Sequence, residues 1–176
     1  MNGTIEKDIN IAIVKKLQEV LEGRGVSVIL TREDDSGLQD ESETTIRKMK
    51  VSDMKKRRRI MEKSNADLFL SIHMNSYTNS SAHGLRIFYD SSHPEFEELA
   101  KEIQQSISEV TGAETYAVKA ADKRLFLMKN PPIPAILVEC GFLSNPDEEK
   151  KLNDDTYQSQ IAWAIAEKLF ECYNIR

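Results

Sequence analysis

Short segments rich in β-branched residues alternate with amphipathic helical segments along this chain. Apolar residues at helical spacing, together with capping residues, predict helices over 5–22, 46–63 and 94–111. A last helix is predicted to start after 144–148, with Ile161, Ile165 and Leu169 on its core face. Short apolar runs predict strands at 26–31, 67–72, 85–89, 125–128 and 135–138. This alternation predicts a single α/β domain over residues 1–176, with a twisted, mostly parallel sheet flanked by helices on both faces.

Composition excludes several other classes of protein. Of the 176 residues, 40% are hydrophobic and 30% are charged, as in an ordinary globular domain. The apolar runs are far shorter than the roughly 20 residues of a membrane-spanning helix, so no membrane span is predicted. The first residues lack the charged, apolar and small-residue regions of a signal peptide, so no signal segment is predicted in this chain.

The charge is distributed unevenly along the chain. The net charge of −5 argues against a general nucleic-acid binder. Residues 47–59 nevertheless contain eight Lys or Arg residues and a single Asp, directly after a strongly acidic segment at 33–43. We interpret the basic run as a solvated helix face, and contact with an anionic polymer or with the acidic segment is the alternative.

Two polar residues follow apolar strands, at the end of a parallel sheet where functional groups usually lie. Glu139 ends the strand at 135–138 and is followed by apolar residues, so we expect poor solvation, a raised pKa and competence as a general base. The alternative is a carboxylate satisfied by a helix N-terminus or an arginine. His73 follows the strand at 67–72, and Asn75 could fix its ring or hold a ligand. The alternative for His73 is a hydrogen-bonded surface histidine.

Other candidates have ordinary local explanations. His83 and His93 lie in polar segments and are expected to be exposed or, for His93, to cap a helix. Glu6 lies in the first turn of a helix, where an acid favours the macrodipole. Cys140 and Cys172 could pair, but the sequence does not decide this.

Four segments carry a resemblance to a known family. They are 3–10 (GTIEKDIN), 31–32 (TR), 71–75 (SIHMN) and 134–145 (PAILVECGFLSN). In this order they resemble the zinc-dependent N-acetylmuramoyl-L-alanine amidases of the amidase type 3 family, which hydrolyse bacterial cell walls. The acidic and basic segments around 33–60 are similar to the sporulation branch, which acts on spore cortex.

The resemblance implies a site and a reaction. Glu6 and His73 match zinc ligands of the family, Glu139 matches its catalytic glutamate, and Asn75 is the candidate for supporting these groups. The implied cofactor is Zn²⁺ and the implied substrate is peptidoglycan, cleaved between N-acetylmuramic acid and L-alanine. The implied location is the cell envelope, outside the cytoplasm. An activator protein is a possible partner, whereas no binding of nucleic acid and no membrane span in this chain are expected.

The sequence departs from the family at its beginning. The family starts with a strand that ends in a Gly-His-Gly-type loop, whose histidine is another zinc ligand, whereas this chain has no histidine before His73. The chain therefore resembles an N-terminally truncated member, in which the neighbours of that strand would have unpaired backbone groups. Two alternatives stay open: a metal-poor, inactive domain that binds peptidoglycan or a partner, and another zinc hydrolase of cell-wall peptides.

Overall fold

The computed structural model describes residues 4–34, 37–38, 42, 44–122 and 124–175. Gly3 of the first family segment, and residues 35–36, 39–41 and 43 of the acidic segment, lie outside the described residues. The helices are α1 (Glu6–Glu22), α2 (Ile46–Ser64), α3 (Phe96–Thr111), α4 (Pro146–Leu152) and α5 (Asp155–Cys172). The strands are β1 (Phe69–Asn75), β2 (Arg86–Tyr89), β3 (Lys119–Ala120) and β4 (Ala135–Phe142).

The four strands form one mixed sheet in the order β1-β4-β2-β3. β1 pairs with β4 in parallel, β2 pairs with β4 antiparallel, and β2 pairs with β3 in parallel. β4 is central and nearly all of its residues are buried, as expected of a strand covered on both faces. The α/β prediction is confirmed, with one antiparallel pairing in the sheet.

The main core lies on the face of the sheet covered by α1, α3 and α5. Each of these helices buries an apolar stripe at helical spacing, which explains why their periodicity was visible in the sequence. The stripes are Ile9, Ile13, Leu17 and Leu21 on α1, Leu99, Ile103 and Ile107 on α3, and Ile161, Ile165 and Leu169 on α5. A smaller cluster around Met128, Ala135 and Leu137 covers the opposite face.

Two predicted strands are not strands. Residues 126–128 form a short 3₁₀ helix instead of the strand predicted at 125–128. Residues 26–31 belong to no strand, although Val26 and Val28 pack against the main core. β-branched composition selects an extended, half-buried segment, but a strand also needs a backbone partner. A cleft of about 1290 Å³ is lined by residues 26–31, by residues 125–128 and by β1. β1 is the edge strand of the sheet beside this cleft.

Two further expectations have outcomes in the structure. Cys140 is buried and Cys172 is exposed, and both are free thiols. No helix in the described parts of the chain is long and apolar enough to span a membrane.

Candidate active site

The site forms where β1 and β4 end side by side. His73 and Glu139 are register partners in this parallel pair, and the register shifts between His73 and Asn75. The two polar residues that the sequence placed at separate strand ends are therefore neighbours in the sheet. Parallel pairing brings them together, because parallel strands end at the same edge.

Glu6 reaches this edge from the first turn of α1. Its Oε1 lies 2.9 Å from Nδ1 of His73 and accepts hydrogen bonds from the Met74 backbone N–H at 3.2 Å and from Asn10 Nδ2 at 3.3 Å. Burial opposes ionisation of Glu6, but the hydrogen bonds from His73, Asn10 and Met74 outweigh it and lower its pKa below the ordinary value. Glu6 is thus a carboxylate bound to a histidine, and its position follows from the fold and not from any local signal.

Arg32 and Arg57 form hydrogen bonds that connect α1, residue 31 and α2 close to Glu6. Arg32 Nη2 donates to the Lys7 carbonyl at 2.7 Å, and this bond connects the segment after residue 31 to the start of α1. Arg57 Nη1 donates to Thr31 Oγ1 at 2.9 Å, and its Nε pairs with Asp53 at 2.6 Å. Arg57 of the basic helix therefore has an internal structural role, whereas the sequence suggested a solvated face for the whole run.

Glu139 lies on the other side of His73. Asn75 Nδ2 donates to Glu139 Oε2 at 2.5 Å. Burial raises the pKa of Glu139 above its ordinary value, and the hydrogen bond from Asn75 and the electrostatic interactions with the Arg86 and His73 side chains oppose this rise without cancelling it. A half-buried carboxylate with a raised pKa and a fixed orientation is suited to accept a proton near neutral pH.

Glu148 fixes the end of β4 and was missed by sequence reasoning. Its two carboxylate oxygens accept from the backbone N–H groups of Gly84 and Phe142, each at 2.7 Å. The sequence offered only the signal of an acid in the first turn of a helix after a capping asparagine. The bridge between two distant backbone groups depends on tertiary structure.

The other two histidines lie apart from this group. His83 contacts the Ser81 carbonyl and Glu114 with a side chain that is 45% exposed. His93 Nδ1 lies 2.5 Å from the buried Asp90 just before α3. The interpretation of both as surface or capping histidines agrees with these contacts.

The donor set fits part of a zinc site. Glu6 and His73 supply one oxygen and one nitrogen ligand of the types that zinc prefers, with their donor atoms already adjacent. A catalytic zinc normally takes three protein ligands. Within the described residues, no group of three or more His, Cys, Asp or Glu side chains could hold a metal ion. Glu6 and His73 therefore match two of the three protein ligands that a catalytic zinc is expected to have.

Acid and imidazole side chains at adjacent strand ends of an α/β sheet are the groups that a water-activating hydrolase uses. The sequence profile of the N-acetylmuramoyl-L-alanine amidase family matches residues 1–171, and the chain belongs to this family. The predicted family resemblance is confirmed.

Curated relatives agree with this assignment. The germination-specific N-acetylmuramoyl-L-alanine amidase of Bacillus subtilis is 32% identical over 161 residues, which cover 92% of this chain and 68% of the relative. The amidase LytC of the same organism is 29% identical over 93% of this chain, which spans only 30% of the length of LytC.

Solved structures share the fold. The CwlD amidase of Clostridioides difficile, in complex with the GerS lipoprotein, is 42% identical with a TM-score of 0.92, over 99% of this chain and 89% of that one. The catalytic domain of the amidase CwlV from Bacillus (Paenibacillus) polymyxa var. colistinus is 27% identical with a TM-score of 0.83, over 99% and 88%.

Proposed function

We propose that this chain hydrolyses the amide bond between N-acetylmuramic acid and the L-alanine of the peptidoglycan stem peptide. The observation that carries the proposal is the convergence of Glu6, His73 and Glu139 at the adjacent ends of β1 and β4. Family membership supplies the substrate class.

Glu139 is the general base and then the general acid in this proposal. Its carboxylate takes a proton from the attacking water as the new C–O bond forms at the lactyl carbonyl carbon. It returns the proton to the nitrogen of L-alanine as the C–N bond breaks. The products are a lactyl carboxylate on the sugar and a peptide with a free amine. Asn75 keeps the carboxylate pointed at the water through its hydrogen bond.

Glu6 and His73 are the residues that would hold zinc. When bound, zinc supplies Lewis-acid chemistry, which makes water more acidic and polarises a carbonyl group. The hydrogen bonds that Glu6 accepts from Met74 and Asn10 orient its carboxylate and favour its charged form, as a metal ligand requires.

Spore cortex is the proposed form of the substrate, and the site of action is outside the cytoplasmic membrane, where peptidoglycan lies. The germination-specific relative supports the assignment to cortex. CwlD was solved together with a lipoprotein, which supports a partner protein for this chain as well.

Zinc content tests the ligand assignment. We expect the zinc bound by the purified protein to fall sharply in His73→Ala, because this substitution removes the only nitrogen ligand assigned. Elemental analysis measures both. His83→Ala removes a histidine outside the site and should keep the zinc. Unchanged zinc in His73→Ala would exclude His73 as a ligand, and absence of zinc from active protein would refute the cofactor.

Mass analysis of digested muropeptides tests the reaction. The proposal requires free stem peptide together with glycan that carries a lactyl carboxylate. Loss of a terminal D-alanine would instead identify a carboxypeptidase. Binding of muropeptides without release of any peptide would favour an inactive binding domain.

The pH profile tests the role of Asn75. In Asn75→Ala the pKa of Glu139 should rise further, because the lost hydrogen bond favoured the charged carboxylate. A base works only when ionised, so the acidic limb of kcat/KM should move to higher pH. Asn79→Ala, in the polar segment after β1, should leave the limb in place. A limb that is unmoved in Asn75→Ala would mean that Asn75 does not tune Glu139.

A further inference from the structure

Arg86 is a cation at the edge of the candidate active site. It begins β2 and is the antiparallel register partner of Glu139 on β4. Directly opposed residues project from the same face of a sheet. The guanidinium of Arg86 and the carboxylate of Glu139 therefore share one face, and the charge of Arg86 acts on Glu139.

Two aromatic rings hold the guanidinium in a fixed position. Its Cζ atom lies 4.3 Å from the ring centroid of Tyr116 and 5.2 Å from that of the buried Phe142. Both distances are within the range of cation–π attraction. Gly84 makes the close approach of Tyr116 possible, because a Cβ atom there would lie 3.1 Å from Cε2 of the ring. The guanidinium is planar, so its N–H groups point outward in its own plane.

The Nε donor of Arg86 is unused. Nε is buried and has no hydrogen-bond partner in the described part of the chain. A buried donor without an acceptor is unfavourable, so a small movement of the Arg86 side chain that lets a ligand oxygen reach Nε adds stability. The Nε–H and the neighbouring Nη–H of arginine point the same way and match the two oxygens of a carboxylate. An amide offers one oxygen and matches this edge less well.

We infer that Arg86 binds the α-carboxylate of the residue after L-alanine in the peptide part of the substrate and selects substrates in which this group is not amidated. The inference rests on the proposed function, in which Glu139 gives its proton to the nitrogen of L-alanine. The peptide that leaves must then lie beside Glu139, and Arg86 occupies the neighbouring position in the sheet. Arg86 is thus a specificity residue that contacts the substrate.

Two compounds that differ in one group test the inference. They are N-acetylmuramoyl-L-alanyl-D-isoglutamic acid, whose α-carboxyl group is free, and N-acetylmuramoyl-L-alanyl-D-isoglutamine, in which that group is a carboxamide. Both compounds keep the γ-carboxylate. We expect the wild-type chain to prefer the carboxylate in kcat/KM by at least about tenfold, as for loss of a hydrogen bond to a charged group. In Arg86→Met the preference should fall to near one, mainly through a higher KM for the carboxylate.

The controls separate specificity from structure and from charge. All rates are measured on the plateau above the acidic limb of each variant, so that Glu139 stays ionised. Arg59→Met removes an exposed charge from α2 and should keep the preference. Equal loss of activity toward both compounds in Arg86→Met, or no preference in the wild type, would overturn the inference. Cleavage of neither compound by the wild type would count against the proposed function instead. Calorimetric titration of the wild-type chain with each of the two uncleaved compounds would then test Arg86 alone. Equal affinity for both compounds would overturn its role.

Discussion

Glu139→Gln is expected to lower kcat for peptide release by at least about 10²-fold, the usual contribution of general acid–base catalysis. Glutamine has nearly the same shape as glutamate, and its carbonyl oxygen can still accept the hydrogen bond from Asn75. It cannot take a proton from water. The substitution therefore removes proton transfer and leaves the geometry of β4 in place.

Stability should not fall in the same variant. Because burial disfavours the charged form of Glu139, a neutral side chain at this position removes an unfavourable term from the folded state. We expect a melting temperature equal to or above that of the wild type, and unchanged zinc content. Near-normal kcat in Glu139→Gln, with zinc retained, would refute the role of Glu139 as base. A lower melting temperature would show that the effect on activity is partly structural.

Glu148→Ala is expected to lower the free energy of unfolding by about 2 kcal/mol, because it leaves two backbone donors without acceptors. These donors are the N–H groups of Gly84, just before β2, and of Phe142, the last residue of β4. Their attachment to one carboxylate holds the end of β4 against the segment that leads into β2. Chemical denaturation monitored by circular dichroism measures the loss.

Asp147→Ala is the matched control for Glu148. Asp147 is an exposed acid in the same first turn of α4, so both substitutions remove one charge from the helix N-terminus. We expect Asp147→Ala to cost about 0.5 kcal/mol, within the range for a charge near a helix end. Equal effects of the two substitutions would mean that the backbone bridge of Glu148 adds nothing to stability.

Periodicity predicted the parts of the fold that are covered by other elements. α1, α3 and α5 follow their apolar stripes, and β4 follows its run of apolar residues, because burial determines both the sequence pattern and the structure. Prediction failed for residues 26–31 and 125–128, where the composition is strand-like. Pairing decides whether such a segment becomes a strand, and the pairing partner is not encoded in the segment itself.

The site was predicted to the extent that its residues are unusual in their local sequence. His73 and Glu139 are polar residues at the ends of apolar strands, so each was visible alone. Glu6 looks like an ordinary helix-start acid, and only the family resemblance singled it out. Arg86 and Glu148 escaped notice because a strand arginine and a helix-start glutamate are common. Their significance depends on strand register and on contacts between residues far apart in the chain.

The outer side of β1 affects how the protein behaves in concentrated solution. In the part of the chain that is described, β1 pairs only with β4, and its other side faces the cleft beside residues 26–31. An unpaired strand edge can add a strand from another molecule, and proteins usually guard such edges with lysine or proline. Phe69 to Ile72 include neither residue. This edge is therefore a place where self-association would begin, and an occupant of the cleft that paired with β1 would oppose it.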